Sequence, residues 1–294
     1  MKTRVLTAIA AICVLIPCLI FSDTIIFPIA CGIVALIALF EITGCIGIRK
    51  EWFISATTFL YGAFIAAVVT AYFVGVTNSS EYYSIFSMEK VVVMVFAATF
   101  AYIFLTFCFT MLSLGKIKFL QAAELIVWTI YIMIGIMSIA LLRRQGDAGV
   151  YLYGLIFLGA WMTDTGAYFV GVLFGKHKLI PEVSPKKTVE GAFGGVLGCI
   201  GGFALYGFII QSVCPDVKVN YVAIILLASV ISVVSQFGDL VASYIKRERE
   251  IKDFGFIFPG HGGVLDRFDS IIAVAPTIYF ITYFTANSFP IFVC

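Results

Sequence analysis

VNYVAIILLASVISVVSQFGDLVASYIKREREIKDFGFIFPGHGGVLDRFDS, residues 219–270, decides how this chain is read. Its first part, 219–245, is an apolar run long enough to cross a bilayer, which takes about 20 such residues. One acid, Asp239, interrupts the run near its end. The chain then turns strongly polar, with Lys246, Arg247, Arg249, Lys252 and Asp253 leading into Pro259-Gly260-His261-Gly262-Gly263 and on to Asp266, Arg267 and Asp269. A hydrocarbon-like segment that ends in a dense patch of charge and glycine belongs at a membrane surface.

The rest of the chain agrees. Of 294 residues, 62% are hydrophobic and 12% charged, and the mean hydropathy is +1.07. Soluble domains run to about 45–50% apolar and about 25% charged. The expected fold is therefore an all-α polytopic integral membrane protein, with no segment polar enough to form a soluble domain and no feature that calls for nucleic acid. Nine spans are expected, at 5–21, 24–48, 52–76, 91–114, 119–142, 149–174, 191–213, 219–245 and 268–289. The first follows Lys2 and Arg4 as a signal peptide would, but no small-residue cleavage site ends it, so a helical hairpin is preferred.

Lys and Arg accumulate on the cytoplasmic side of membrane proteins. With nine spans, all of the 19 Lys and Arg except Lys90, Arg143, Arg144 and Lys218 fall on one side. The N-terminus and the two large basic loops are thus expected to be cytoplasmic and the C-terminus outside. Residues 1–145 read as a five-span scaffold. Residues 146–294 read as the catalytic region, with four spans and both basic loops. Asn78-Ser79-Ser80 is read as a polar outer loop. The eight cysteines form no CxxC pair, and His177 and His261 are the two histidines, so neither a zinc site nor a multi-histidine site is expected.

Acids inside spans are costly and tend to face the bundle interior or a cavity. Glu41 and Glu124 read as interhelical hydrogen-bonding or snorkelling groups. Asp164 and Asp239 border basic loops and read as functional. The first such loop, Phe174–Gly195, contains Ser184-Pro185-Lys186-Lys187-Thr188 just before Glu190 and a glycine-rich helix start. A Ser or Thr there caps the helix, and a helix N-terminus beside two lysines suits a polyphosphate. In the second loop, glycines at 262 and 263 let backbone approach a ligand closely. Asp266 and Asp269, three apart, share a helix face. Magnesium is commonly held by carboxylates together with phosphate oxygens, and arginine binds phosphate bidentately. The inventory is that of phosphoryl or nucleotidyl transfer, which works by positioning and charge cancellation and needs no covalent nucleophile.

Ser243, Lys246, Arg247, Lys252, Asp253, Gly255, Pro259, Gly260, His261, Gly262, Gly263, Asp266, Arg267 and Asp269 fit the pattern S-x-x-K-R-x4-K-D-x-G-x3-P-G-H-G-G-x-x-D-R-x-D. In this the chain resembles the phosphatidate cytidylyltransferase (CDP-diacylglycerol synthase) family, as it does at Asp164–Leu179 and Ser184–Gly191. The match covers roughly residues 160–275. The resemblance implies CTP and phosphatidate as substrates, CDP-diacylglycerol and pyrophosphate as products, and Mg²⁺, with room for a monovalent cation such as K⁺. It implies Asp239, Asp266 and Asp269 as metal ligands. Lys246, Arg247 and Arg267 fall to the phosphates, with His261 as a donor to phosphate or a shaper of the turn. Ser184, Lys186, Lys187, Thr188, Asp164, Gly262 and Gly263 are expected around the substrates. The expected location is the inner membrane with the site facing the cytoplasm, and a homodimer is among the open arrangements. A CTP-dependent lipid kinase and an anion transporter are the alternatives. The kinase would need a base for an alcohol. The transporter would be expected to show paired repeats, and none is visible.

Overall fold

The structure, a computed structural model, describes residues 13, 16–77, 87–260 and 262–293. Among these, eight helices are long and apolar enough to cross a membrane. They are α1 (Ile26–Ile46), α2 (Trp52–Thr77), α3 (Met88–Leu112), α4 (Phe119–Arg143), the pair α5 (Gly149–Leu152) and α6 (Gly154–Phe174) forming one span, α7 (Val189–Val213), α8 (Tyr221–Glu248) and α9 (Leu265–Thr285). The protein is an all-α, multi-pass membrane protein, as composition requires. Most of the span expected at 5–21 lies outside the described residues; its end, 16–20, is helical. Asn78-Ser79-Ser80 and His261 also lie outside them. Phe96, Phe100 and Phe104 stand exposed at four-residue intervals along α3. An exposed aromatic stripe of this kind suits lipid, where it has no water to avoid.

The chain divides into two compact units: Met1–Leu141 with Asp253–Arg267, and Leu142–Lys252 with Phe268–Cys294. The sequence division placed the whole of 146–294 in one region. The glycine-rich segment instead packs within the first unit, because a buried carboxylate on α1 and a ring on α4 hold it there.

In the first unit α2 packs against both α1 and α3. Without water to drive apolar association, membrane helices associate through small residues and interhelical hydrogen bonds. Both are present. Ala66 Cβ lies 3.0 Å from the position a Cβ on Gly32 would take. The Tyr102 hydroxyl donates to Thr129 Oγ1 at 3.0 Å and lies 3.3 Å from Thr58 Oγ1, joining α3 to α4 and α2. The Tyr61 and Tyr102 rings stack at 4.6 Å. Trp128 on α4 meets Phe254 edge-on at 6.3 Å.

In the second unit α6 and α7 run in backbone contact. A Cβ on Gly166 would overlap the Gly194 carbonyl oxygen, and one on Gly198 would lie 3.1 Å from Gly166 Cα. Glycine at these places is required by the close approach. The connection between the two helices is expected as a loop; it folds as a small antiparallel hairpin of β1 (Lys178–Ile180) and β2 (Ser184–Thr188). Thr188 ends β2 and caps α7, accepting from Gly191 N at 3.1 Å, which is the cap expected from the sequence. A second two-stranded ladder pairs β3 (Lys218–Val219), just before α8, with β4 (Phe292–Val293), after α9. Helix α8 runs three residues beyond its expected end, so Lys246 and Arg247 sit on its last turn. There they complement the helix dipole.

Candidate functional site

In the second unit β2 and the helices α6, α8 and α9 bring charge together inside apolar surroundings. Lys187 Nζ, from β2, lies 2.5 Å from Asp239 Oδ2 on α8, with both side chains a little over a quarter exposed. Asp164, two turns and more along α6 from its start, lies within electrostatic reach of both members of this pair. From α9, Asp269 brings its carboxyl to hydrogen-bonding distance of Asp239, with Lys246 near enough to offset charge. Asp239 thus pairs with Lys187 and Asp269, with Asp164 and Lys246 within electrostatic reach of this group. Asp269 Oδ1 also accepts the Ser270 amide at 2.7 Å, which fixes that carboxyl.

Two small devices build this arrangement. Gly238 precedes Asp239, and a Cβ there would lie 3.0 Å from the Asp269 carbonyl oxygen. Its lack of a side chain lets α8 and α9 approach where the two acids face. Gln236, three residues before Asp239 on α8, donates to the Ala192 carbonyl at 3.2 Å and ties α8 to α7. Glu190, in the first turn of α7, accepts from the amides of Lys176 and His177 at 3.1 and 3.2 Å. His177 Nδ1 lies 2.6 Å from its other oxygen. That latch closes the base of the hairpin that carries Ser184, Lys186 and Lys187. Arg247 Nε reaches the Val183 carbonyl of the same hairpin at 3.5 Å.

In the first unit carboxylates do something else. The Asp253–Arg267 segment folds on itself through a bridge between Phe258 and Gly262, with Gly260 and Gly262 at φ of 80° and 84°, a region that favours glycine. Asp266, buried at the start of α9, accepts from Phe254 N at 2.8 Å and Gly263 N at 2.9 Å on one oxygen, Oδ2. Glu41, on α1 and 2% exposed, accepts from Val264 N and Leu265 N, both at 2.9 Å. Hydrogen bonds to a charged acceptor contribute about 1.5–3 kcal/mol each, so four of them hold this turn firmly. The amides of Gly263, Val264 and Leu265 are directed at carboxylates.

The expected site residues thus distribute as follows. Asp164, Ser184, Lys186, Lys187, Thr188, Asp239, Lys246, Arg247 and Asp269 belong to the second unit, and the structure brings Asp164, Lys187, Asp239, Lys246 and Asp269 together. Gly262, Gly263, Asp266 and Arg267 belong to the first. His261 lies outside the described residues. Sequence reasoning did not assign Gly238 or a structural part for Glu190; the Gly-Asp pair inside a span was the signal for the former, and a charged residue one turn into a capped helix for the latter.

Among the described residues no three His, Cys, Asp or Glu side chains converge tightly enough to cage a metal ion. Magnesium does not ask for a cage. It keeps several waters and binds through one or two carboxylates plus substrate phosphates. The Asp239–Asp269 pair, hard oxygen donors drawn together despite like charge, fits that requirement.

Comparison with known proteins agrees with this chemistry. The model of the cytidylyltransferase family matches residues 2–285. A phosphatidate cytidylyltransferase of Staphylococcus epidermidis is 35% identical over 278 residues, covering 95% of this chain and 97% of that protein. Proteins of the same name from Staphylococcus haemolyticus and Staphylococcus aureus are 35% and 34% identical, with the same coverage. The match runs through the N-terminal helices as well as the polar loops, and the chain belongs to the cytidylyltransferase family.

Proposed function

We propose that this protein is a phosphatidate cytidylyltransferase, converting CTP and phosphatidate to CDP-diacylglycerol and pyrophosphate at the cytoplasmic face of a bacterial inner membrane. The observation that carries the reading is the meeting of Asp164, Asp239 and Asp269 with Lys187 and Lys246 within membrane-spanning helices. Such groups are expensive in lipid and mark functional sites.

A phosphatidate oxygen attacks the α-phosphorus of CTP in line. The new bond joins the two phosphates, the bond from the α-phosphorus to the bridging oxygen breaks, and pyrophosphate leaves with that electron pair. The lipid phosphate is an anion near neutral pH, its second pKa lying at about 6, so no base is required. The task for the chain is to bring anions together. Lys186, Lys187 and Ser184 on the hairpin, with Lys246 and Arg247 at the end of α8, hold phosphate oxygens; in the first unit, Arg267 is proposed for phosphate on the family resemblance. Asp239 and Asp269 would hold Mg²⁺; in the first unit, Asp266 is proposed as a metal ligand on the family resemblance. When bound, the ion would supply neutralisation of phosphate charge. A monovalent cation such as K⁺ is proposed beside it.

The deciding experiment supplies purified protein with phosphatidate and CTP labelled at either the α- or the γ-phosphate, with and without chelator. Lipid that takes up α-label only in the presence of Mg²⁺ supports the proposal. Uptake of γ-label would make the protein a lipid kinase, and α-transfer that survives chelation would remove the metal. Elution mass in detergent decides whether it works as a homodimer.

A further inference from the structure

The buried carboxylate of Glu41 belongs to none of the chemistry above, yet it sits against the glycine-rich turn. We infer that Glu41 is a positioning residue: from α1 it caps the N-terminus of α9 and fixes the turn that leads into Asp266 and Arg267. The inference rests on the cytidylyltransferase reading for the part those residues play.

Three observations converge on it. Each oxygen of Glu41 takes one amide, Oε1 from Val264 and Oε2 from Leu265, both at 2.9 Å. These N–H groups open a helix and need acceptors, and a carboxylate at a helix N-terminus also answers the dipole. Asp266 closes the other side of the same turn, through Phe254 and Gly263. Finally, the glycines are cut to fit. A Cβ on Gly255 or on Gly263 would overlap Glu41 Oε1, and one on Gly262 would lie 2.7 Å from Asp266 Oδ2. Gly255 and Gly263 are therefore glycine because a side chain from a distant helix fills the space beside them. The alternative for Glu41, a hydrogen bond between two spans that serves packing alone, does not explain why both acceptor oxygens address one turn.

The test compares wild-type protein with Glu41→Gln and Glu41→Leu, each full length and purified in detergent. Gln keeps the volume but turns an NH₂ toward one of the two amides; Leu removes both acceptors. Hydrogen exchange is read on peptides covering residues 262–268, and transfer of α-label from CTP is measured per folded molecule. A displacement near 1 Å costs about a hundredfold in rate, so Glu41→Gln is expected to lose roughly 10- to 100-fold in kcat. Exchange should rise only in that peptide. Glu41→Leu should lose more, and where it fails to fold the Gln variant carries the test alone. Wild-type exchange and wild-type turnover in folded Glu41→Gln overturn the inference. So does a loss of activity that only follows the loss of folded protein. If wild-type protein transfers no label, the proposed activity fails instead, and the exchange measurement still decides the role of Glu41.

Discussion

Glu41 and Asp239 are both single acids set in apolar helices, but their surroundings differ. Glu41 faces backbone amides and is only 2% exposed. Asp239 faces an ammonium group and two further carboxyls and keeps 28% of its side chain exposed. Amides belong to the frame and cannot leave. A lysine on a four-carbon stem can exchange one anion for another. The first environment describes a fixed joint and the second a place where a ligand changes partners. An acid within a span is therefore informative only together with what faces it.

The comparison breaks most readily at Asp239. Asp239→Asn keeps the shape and removes the charge, and it is expected to lower kcat by roughly 10³-fold, the scale found when a charge-stabilising group is removed. Residual α-label transfer within tenfold of wild type would move Asp239 to the structural class. Lys187→Ala should cost about 10- to 100-fold in kcat/KM, chiefly through KM for CTP, as loss of a charge-assisted contact does. Combining it with Asp239→Asn should cost less than the two losses multiplied, because paired residues couple; full additivity would separate them. Gly255→Ala probes the other class. It forces a methyl onto Glu41 and should destabilise by about 1–3 kcal/mol, as overpacking does, read as a lower unfolding temperature in detergent. An unchanged temperature would show that the turn yields. The smallest effect belongs to His177→Ala at the exposed latch with Glu190. Exposed ion pairs contribute little, so turnover should stay within about threefold of wild type.

The architecture was readable because lipid imposes a simple code: apolar length gives spans, and eight of the expected nine are described as helices. The gathering of Asp164, Lys187 and Asp239 in the second unit has a trace in sequence, since all three stand next to polar loops. The partner of Glu41 was not. Its amides lie more than 220 residues away, and backbone N–H groups leave no mark in a sequence. Nor was β2, because Ser-Pro-Lys-Lys-Thr has little strand character of its own and forms a strand only through pairing with Lys178–Ile180. The assignment of Asp253–Arg267 to the first unit was hidden for the same reason.

The backbone contact between α6 and α7 has a mechanical meaning. Where Gly166, Gly194 and Gly198 leave no gap between two main chains, neither helix can slide or roll past the other without collision, since packed elements shift between discrete arrangements rather than deforming smoothly. Asp164 on one and the Thr188-capped start of the other are thereby mounted on a single stiff bracket. Accommodation of two substrates as different as a nucleotide and a lipid must then come from side-chain swings and from elements outside that bracket.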